Sequence, residues 1–208
     1  RIPPVKDRIE LTDSYNNFWF DDGTQVAIYN GEFRSSLLID PPNGRMPAYT
    51  QQAQERLQAA AELRASRGAF AGPESRPLAE RCLMSFGSSS GPPMLPILYN
   101  NHYQIVQSPG YVMILVEMVH DARIIRIDAD PLPEAFRPWM GDSVAHWESD
   151  TLVVETSRLN PSQKFRNATE NFRITERFTR VSDNVINYSF TAEDPDTFAK
   201  PFSAEMPM

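Results

Sequence analysis

Short apolar runs, many of them alternating with polar residues, recur along most of the chain and predict β-strands. Turn-forming residues such as Asp22-Gly23 and Ser182-Asp183-Asn184 separate the runs at hairpin spacing. This spacing predicts a mainly β protein, an antiparallel barrel or a sandwich. We favour a β-barrel of lipocalin-like size, whose interior can hold one small ligand. The predicted strands are Phe18 to Asp21, Gln25 to Tyr29, Ser35 to Asp40, Gln104 to Gln107, Tyr111 to Val119, Ala122 to Ile127, Thr151 to Thr156, Asn171 to Val181, Asn184 to Ala192 and Phe202 to Glu205.

One segment has a different pattern and predicts an α-helix from Thr50 to Arg67. It is rich in Ala, Gln and Glu, it begins with a capping threonine, and Gly68 follows its last residue. Because its apolar positions are mostly alanines, we expect a peripheral helix that covers a surface without building a core. We expect one domain over 1–208, with a loop-rich insertion at 68–96 and the main β-meander at 97–208.

Composition narrows the classes of partner. The 208 residues include 20 Lys and Arg against 27 Asp and Glu, a net charge of -7, and this balance argues against a nucleic-acid partner. No apolar run reaches the roughly 18 residues that a membrane-spanning helix needs, so we expect no membrane span. A single cysteine, Cys82, excludes an intramolecular disulfide. Because the chain starts at Arg1 and not at Met, we expect that leading residues, such as an export signal, were removed.

Two glutamates lie in apolar strand patterns. Along Asn171 to Val181, Glu176 shares one face with apolar side chains and is expected to look across at Tyr188 or Phe190 on the next strand. The run Tyr111 to Val119 is apolar on both faces except at Glu117, which predicts a central strand with a buried carboxylate. Such a carboxylate must be paired, hydrogen-bonded or protonated.

The segment His120-Asp121-Ala122-Arg123 follows directly and suggests acid–base chemistry where one strand turns into the next. In this interpretation His120 moves the proton and Glu117 or Asp121 orients it. The remaining predicted catalytic residues are Tyr103 and Arg123, which would stabilise negative charge, and Glu176, which would be a second acid. Two structural alternatives remain open: His120 bonds only loop carbonyls, and Glu117 and Glu176 form buried pairs with Arg123, Arg173 or Arg180.

A second group of residues is suited to contact a ligand. Trp139 to Asp150 is expected to form a loop and hairpin in which the tryptophans are apolar anchors or the wall of a pocket. Asn100 and Asn101 precede a strand and are either ligand donors or turn formers. Ser143 is a weak candidate nucleophile, because Ala145 replaces the second glycine of a G-x-S-x-G elbow. The predicted substrate-binding residues are Asn100, Asn101, Trp139, Trp147, Phe172, Phe178 and Tyr188.

The signals for a metal or a cofactor are weak. His102, His120 and His146 lie 18 and 26 residues apart, without a close pair to place two ligands on one element. No glycine-rich phosphate loop or dinucleotide fingerprint occurs in the sequence. We therefore predict no cofactor and no metal site.

Several stretches resemble a family of β-rich bacterial proteins that often carry export signals and for which no activity is established. They are YNNHYQIVQSPGYVMILVEMVHDARIIRID, WMGDSVAHWESDTLVVET, ENFRITERFTRV and the tail DPDTFAKPFSAEMPM, within about residues 35 to 208. The resemblance implies a periplasmic or secreted location. It implies no catalytic residues.

These observations favour a cofactor-independent enzyme of lyase, dehydratase or isomerase type, acting on a small, partly apolar molecule in the barrel. One alternative is a non-catalytic small-molecule carrier. Another is a glycoside hydrolase that uses Glu117 and Glu176 as paired carboxylates. We expect a small-molecule partner, and the sequence is compatible with a homo-oligomer.

Overall fold

A computed structural model describes residues 26, 28–29, 31–68, 70–84, 91–97, 100–163 and 165–208. The predicted strand Phe18 to Asp21, the Asp22-Gly23 turn and the start of the strand predicted at Gln25 lie outside the described residues. The elements are β1 (Ile28–Tyr29), β2 (Glu32–Phe33), β3 (Leu38–Asp40), α1 (Gln51–Arg67), β4 (Tyr103–Ser108), β5 (Tyr111–Val116), β6 (Ala122–Ile127), β7 (Asp142–Glu148), β8 (Thr151–Ser157), β9 (Arg173–Ser182), β10 (Val185–Glu193) and β11 (Phe202–Pro207).

The fold is mainly β and is dominated by one nine-stranded mixed sheet. Its strands are ordered β3-β11-β10-β9-β8-β7-β6-β5-β4, and β1 and β2 form a separate two-stranded sheet. Every neighbouring pair in the large sheet is antiparallel except β6 and β7, which are parallel. The sheet is not closed, because β3 and β4 are its two edges, and the expected closed barrel is therefore not confirmed.

The core lies on one face of this sheet, where the alternation of the strands collects the apolar side chains. Aromatic rings from β9, β10, β11 and the loop before β11 pack together there, with the Phe178 and Tyr188 centroids 5.0 Å apart and the Phe198 and Phe202 centroids 5.2 Å apart. Met94, from the loop before β4, is buried in the same cluster. This loop therefore contributes to the core as well as linking α1 to the sheet.

The helix α1 begins one residue after its predicted start and ends at its predicted last residue. Thr50 caps it by accepting a hydrogen bond from the Ala53 amide at 3.0 Å, and Gly68 ends it with a φ of 83°. Ala53 is its one buried residue, as expected of a helix that covers a surface. Within the described residues, no helix has the length and apolarity needed to cross a membrane.

The loop and hairpin expected at Trp139 to Asp150 include a strand that the predicted strands omit, since β7 pairs with β8 through the turn at Ser149-Asp150. β7 has a second partner. It pairs in parallel with β6 over Ile125–Ile127 only, so the edge of Ala122–Ile124 that faces β7 has no strand partner in the described part of the chain. The result is a gap between the start of β6 and the residues that lead into β7.

Candidate functional site

A buried ion pair crosses the inner face of the sheet. Arg123 on β6 and Glu176 on β9 are 3% and 0% exposed, and both guanidinium Nη atoms donate to the carboxylate. The Nη1 to Oε1 distance is 3.0 Å. Since β7 and β8 lie between these strands, a flat sheet would separate them by about 14 Å. The long side chains of Arg123 and Glu176 span this width. The curvature of the sheet is shown by Ile105 on β4 and Ile186 on β10, which line one pocket although they lie six positions apart in the strand order.

Two hydroxyl groups hold the other side of the guanidinium. Arg123 Nε donates to Ser143 Oγ at 3.0 Å and Nη2 donates to Thr156 Oγ1 at 2.7 Å. The two hydroxyl oxygens are 2.8 Å apart, directly across the β7–β8 ladder. Arg123 is thus fixed by one carboxylate and two hydroxyls, all buried.

A tyrosine completes this network at Glu176. The Tyr188 hydroxyl donates to Glu176 Oε1 at 2.7 Å and accepts a hydrogen bond from the Met94 amide at 3.0 Å. Burial, and then the charge of Glu176, raise the pKa of Tyr188 well above its ordinary value. The hydroxyl therefore stays protonated and holds the Met94 loop against the sheet.

The gap beside β6 forms a pocket of about 400 Å³, which we call the Trp139 pocket. Its walls are mainly apolar and include Met84, Ile124 and Trp139, and Arg123 and Ser143 of the buried network also line it. Its volume lies within the roughly 300–1,000 Å³ of small-molecule sites, which likewise combine apolar walls with a few polar groups. The full lining is Leu83, Met84, Asp121, Ala122, Arg123, Ile124, Arg126, Leu132, Pro138, Trp139, Met140, Gly141, Asp142 and Ser143.

A second buried carboxylate positions one wall of the pocket. Asp142 Oδ1 accepts from Arg126 at 2.7 Å, and Oδ2 accepts from the Leu132 amide at 2.6 Å and from Arg158 at 3.4 Å. These bonds tie the crossover between β6 and β7 to the first residue of β7. Neither Asp142 nor Thr156 is among the sequence-predicted site residues, and the sequence indicates Ser143 only as a weak candidate nucleophile.

Glu117 does not occupy a buried central strand, so its expected burial is wrong. β5 ends at Val116, and Glu117 has a helical backbone that leads into the turn Met118–His120. Its side chain is 43% exposed. The carboxylate accepts hydrogen bonds from His102 Nδ1 at 2.8 Å and from the His102 amide at 3.3 Å, and these two bonds lower the pKa of Glu117. The strand phase fails because the chain turns one residue before the glutamate.

His120 also lies on this turn, is exposed and has a φ of 58°. Asp121 and Arg123, but not His120, line the Trp139 pocket. Tyr103 lines a separate pocket with Met94 and Ile186; burial, followed by the charge of Glu176, raises its pKa to about 12. The predicted acid–base residues are therefore distributed over a surface turn, a pocket and the core, and their catalytic roles stay predictions.

The aromatic residues predicted to bind substrate lie in two different pockets and in the core. Trp139 is half-buried in the Trp139 pocket, whereas Trp147 is 46% exposed and lines a different pocket. Trp147 shares the inward phase of Ser143 and Ala145 but lies next to the end of β7, where its side chain stays partly exposed, so it is not a fully packed anchor. Phe172, Phe178 and Tyr188 are members of the core cluster.

The two asparagines stand before β4. Asn101 bonds its own loop, since its Oδ1 accepts from the Ile97 amide at 2.8 Å and its Nδ2 donates to the Ile97 carbonyl at 2.7 Å. Asn100 has a φ of 57°, a left-handed conformation that asparagine tolerates. For these two residues the turn-forming alternative describes the geometry.

Among the described residues, no cluster of three or more His, Cys, Asp or Glu side chains is arranged to hold a metal ion. His146 Nε2 lies 3.3 Å from Glu148 Oε1 on the exposed side of β7, and His102 is held by Glu117. Comparisons of the chain with protein-family models, with curated proteins and with solved structures give no match.

Proposed function

We propose that this protein binds a small, predominantly apolar molecule in the Trp139 pocket and acts as a binding or carrier protein. The observation that supports this most is the combination of apolar walls with a buried polar floor in a pocket of about 400 Å³. The network from Arg123 to Tyr188 holds that floor rigid, so the site is formed before a ligand arrives.

The first test uses an uncharged aromatic probe, 2-acetylnaphthalene, with binding followed by equilibrium dialysis and tryptophan fluorescence. We expect saturable binding that Trp139→Ala weakens and Trp147→Ala leaves unchanged, because Trp147 lines a different pocket. No saturable binding, or weakening by Trp147→Ala alone, would overturn the proposal.

A second variant guards against misfolding of Trp139→Ala. Ile124 lines the Trp139 pocket but is 53% exposed, so Ile124→Lys adds a charge at the pocket with little effect on the core. Val181→Lys on β9 is the matched control, since Val181 is 59% exposed. We expect Ile124→Lys, but not Val181→Lys, to weaken probe binding.

An acid–base enzyme remains a second candidate because Asp121 lines this pocket and His120 precedes it in the chain. This version requires turnover of a bound molecule. If turnover is found and His120→Ala and Asp121→Asn abolish it while probe affinity persists, the enzyme replaces the carrier. A paired-carboxylate hydrolase is less favoured, because Glu176 is fully buried on Arg123 while Glu117 is exposed on a turn.

A further inference from the structure

We infer that the ligand of the Trp139 pocket is uncharged and carries a hydrogen-bond acceptor, such as a carbonyl oxygen, which the Ser143 hydroxyl contacts. This inference rests on the proposed binding function and adds the chemical class of the ligand. The juxtaposition that carries it is Ser143, one half of the Ser143–Thr156 hydroxyl pair, in the lining of a mainly apolar pocket.

The hydrogen count of this hydroxyl pair provides the first step. Both oxygens already accept from Arg123, Ser143 Oγ from Nε and Thr156 Oγ1 from Nη2. Each hydroxyl has one hydrogen, and one hydrogen suffices for the bond between the two oxygens. One hydroxyl hydrogen is therefore left over, and the described contacts of the pair give it no acceptor.

The location of Ser143 provides the second step. When Thr156 donates to Ser143, the remaining hydrogen belongs to Ser143, which lines the Trp139 pocket. A buried donor without an acceptor is unfavourable, so a ligand that brings an acceptor gains a hydrogen bond there. A ligand of the same shape without one leaves the hydroxyl unpaired, which is how polar sites reject apolar analogues.

Charge provides the third step. The guanidinium of Arg123 is neutralised by Glu176, and Arg126 is paired with Asp142 at 2.7 Å. The pocket is thus lined by both signs of charge, and these two guanidinium groups are already paired with carboxylates. An anion in the pocket would be repelled by the carboxylates, and a cation would be repelled by the guanidinium groups. Because these guanidinium and carboxylate groups are already paired with each other, neither ion would recover the hydration energy that it loses on binding. A neutral ligand avoids both costs.

The experiment compares three naphthalene probes of nearly equal size: 2-acetylnaphthalene, 2-ethylnaphthalene and 2-naphthoate. Dissociation constants are measured for the wild-type protein, Ser143→Ala and Thr179→Ala. Thr179 is a matched control because its hydroxyl lies 2.8 Å from that of Thr151 in a similar pair between β8 and β9. The readout is the ratio of the dissociation constants for 2-acetylnaphthalene, the ketone, and 2-ethylnaphthalene, the hydrocarbon. This ratio does not depend on the fraction of a variant that is folded.

We expect Ser143→Ala to reduce the preference for the ketone over the hydrocarbon by about tenfold, while Thr179→Ala preserves it. We also expect 2-naphthoate to bind more weakly than the ketone. An unchanged ratio in Ser143→Ala, or tighter binding of the carboxylate, would overturn the inference and leave the proposed function standing. Absence of binding that depends on Trp139 or Ile124 would remove both.

Discussion

The guanidinium of Arg123 is buried together with the carboxylate and the hydroxyls that it contacts. Removing one partner of such a pair leaves an uncompensated charge in a medium that solvates it poorly, whereas replacing both partners is much less costly. The pair therefore constrains which single substitutions the core tolerates.

We expect Arg123→Met and Glu176→Met each to lower the free energy of unfolding by about 3–5 kcal/mol. The double variant should lose less than the sum of the two, because it leaves neither charge unpaired. Urea unfolding of the four proteins measures this. The control is Arg177→Met, which breaks the exposed pair with Glu148 and should change stability far less. Additive losses in the double variant would contradict the coupling.

Two tyrosines, Tyr188 in the core and the half-buried Tyr103, predict a loss of stability at alkaline pH. Burial is the largest cause of both pKa shifts; it raises the pKa of Tyr103 to about 12 and that of Tyr188 well above 10.0. In the unfolded chain both tyrosines ionise near pH 10. Their contribution to the free energy of unfolding is therefore complete below pH 10 and is lost as the pH rises toward their pKa values in the folded protein.

Between pH 10 and pH 12 we expect Tyr188 to add at most about 1.4 kcal/mol per pH unit to the loss of stability, and the half-buried Tyr103 to add less because solvent screens it. Tyr188→Phe should be less stable at pH 8, because Glu176 loses a hydrogen bond, yet its stability should fall less steeply above pH 10. Urea unfolding at pH 8, 10 and 11 measures both effects. Equal slopes for the variant and the wild type would show that Tyr188 ionises in the folded protein.

At the scale of elements, the turn into β7 shapes the Trp139 pocket. Gly141 has a φ of 76°, and a Cβ atom there would lie 2.8 Å from the Ser157 carbonyl oxygen and 2.8 Å from Thr156 Cγ2. Gly110, between β4 and β5, has a similar φ of 78° but no neighbouring atom within 4 Å of such a Cβ. Comparing alanine substitutions at the two glycines therefore separates the cost of the left-handed backbone from the cost of steric contact.

We expect Gly110→Ala to destabilise the protein by about 1–2 kcal/mol through its left-handed backbone alone. Gly141→Ala should lose a further amount of about 1–3 kcal/mol, because the methyl group meets the backbone of β8. Thermal and urea unfolding compare the two variants directly. If their losses are equal, β8 moves aside readily and Gly141 is not required for the close approach.

Elements with local signals were the most predictable. The capping threonine and the terminal glycine place α1 almost to the residue, and alternation places β9 and β10 and turns Glu176 toward Tyr188, as predicted. The hairpin expected within Trp139 to Asp150 is the β7–β8 pair, whereas the parallel pairing of β7 with β6 is reached through a crossover, a non-local pairing that no turn signal marks.

The site was less predictable than the strands for a related reason. The alternation of β9 alone predicts that Glu176 points inward, and Arg123 is one of three arginines proposed to pair with it. The alternation of one strand does not indicate which other strand lies opposite it across a curved sheet. Glu117 was misassigned because a continuous apolar run hides the residue at which β5 ends. Ser143 and Thr156 became informative only once their common partner was visible.

On the scale of the whole molecule, the ion pair joins parts of the sheet that the hydrogen-bonded ladders connect only through β7 and β8. The sheet has two open edges, so side-chain contacts across the inner face, together with the packed core, maintain its curvature. Local opening of β6 should therefore be coupled to opening of β9.

Amide hydrogen exchange tests this coupling. In the wild-type protein we expect slow exchange in β8, β9 and β10, which are central strands, and faster exchange in the edge strands β3 and β4. Arg123→Met should accelerate exchange in β6 and β9 together while leaving α1 unchanged, because α1 buries only Ala53. Arg177→Met, whose pair with Glu148 lies on the exposed surface, should leave both strands protected. Acceleration confined to β6 would mean that the ladders alone hold the curvature, with the Arg123–Glu176 pair merely filling the space inside it.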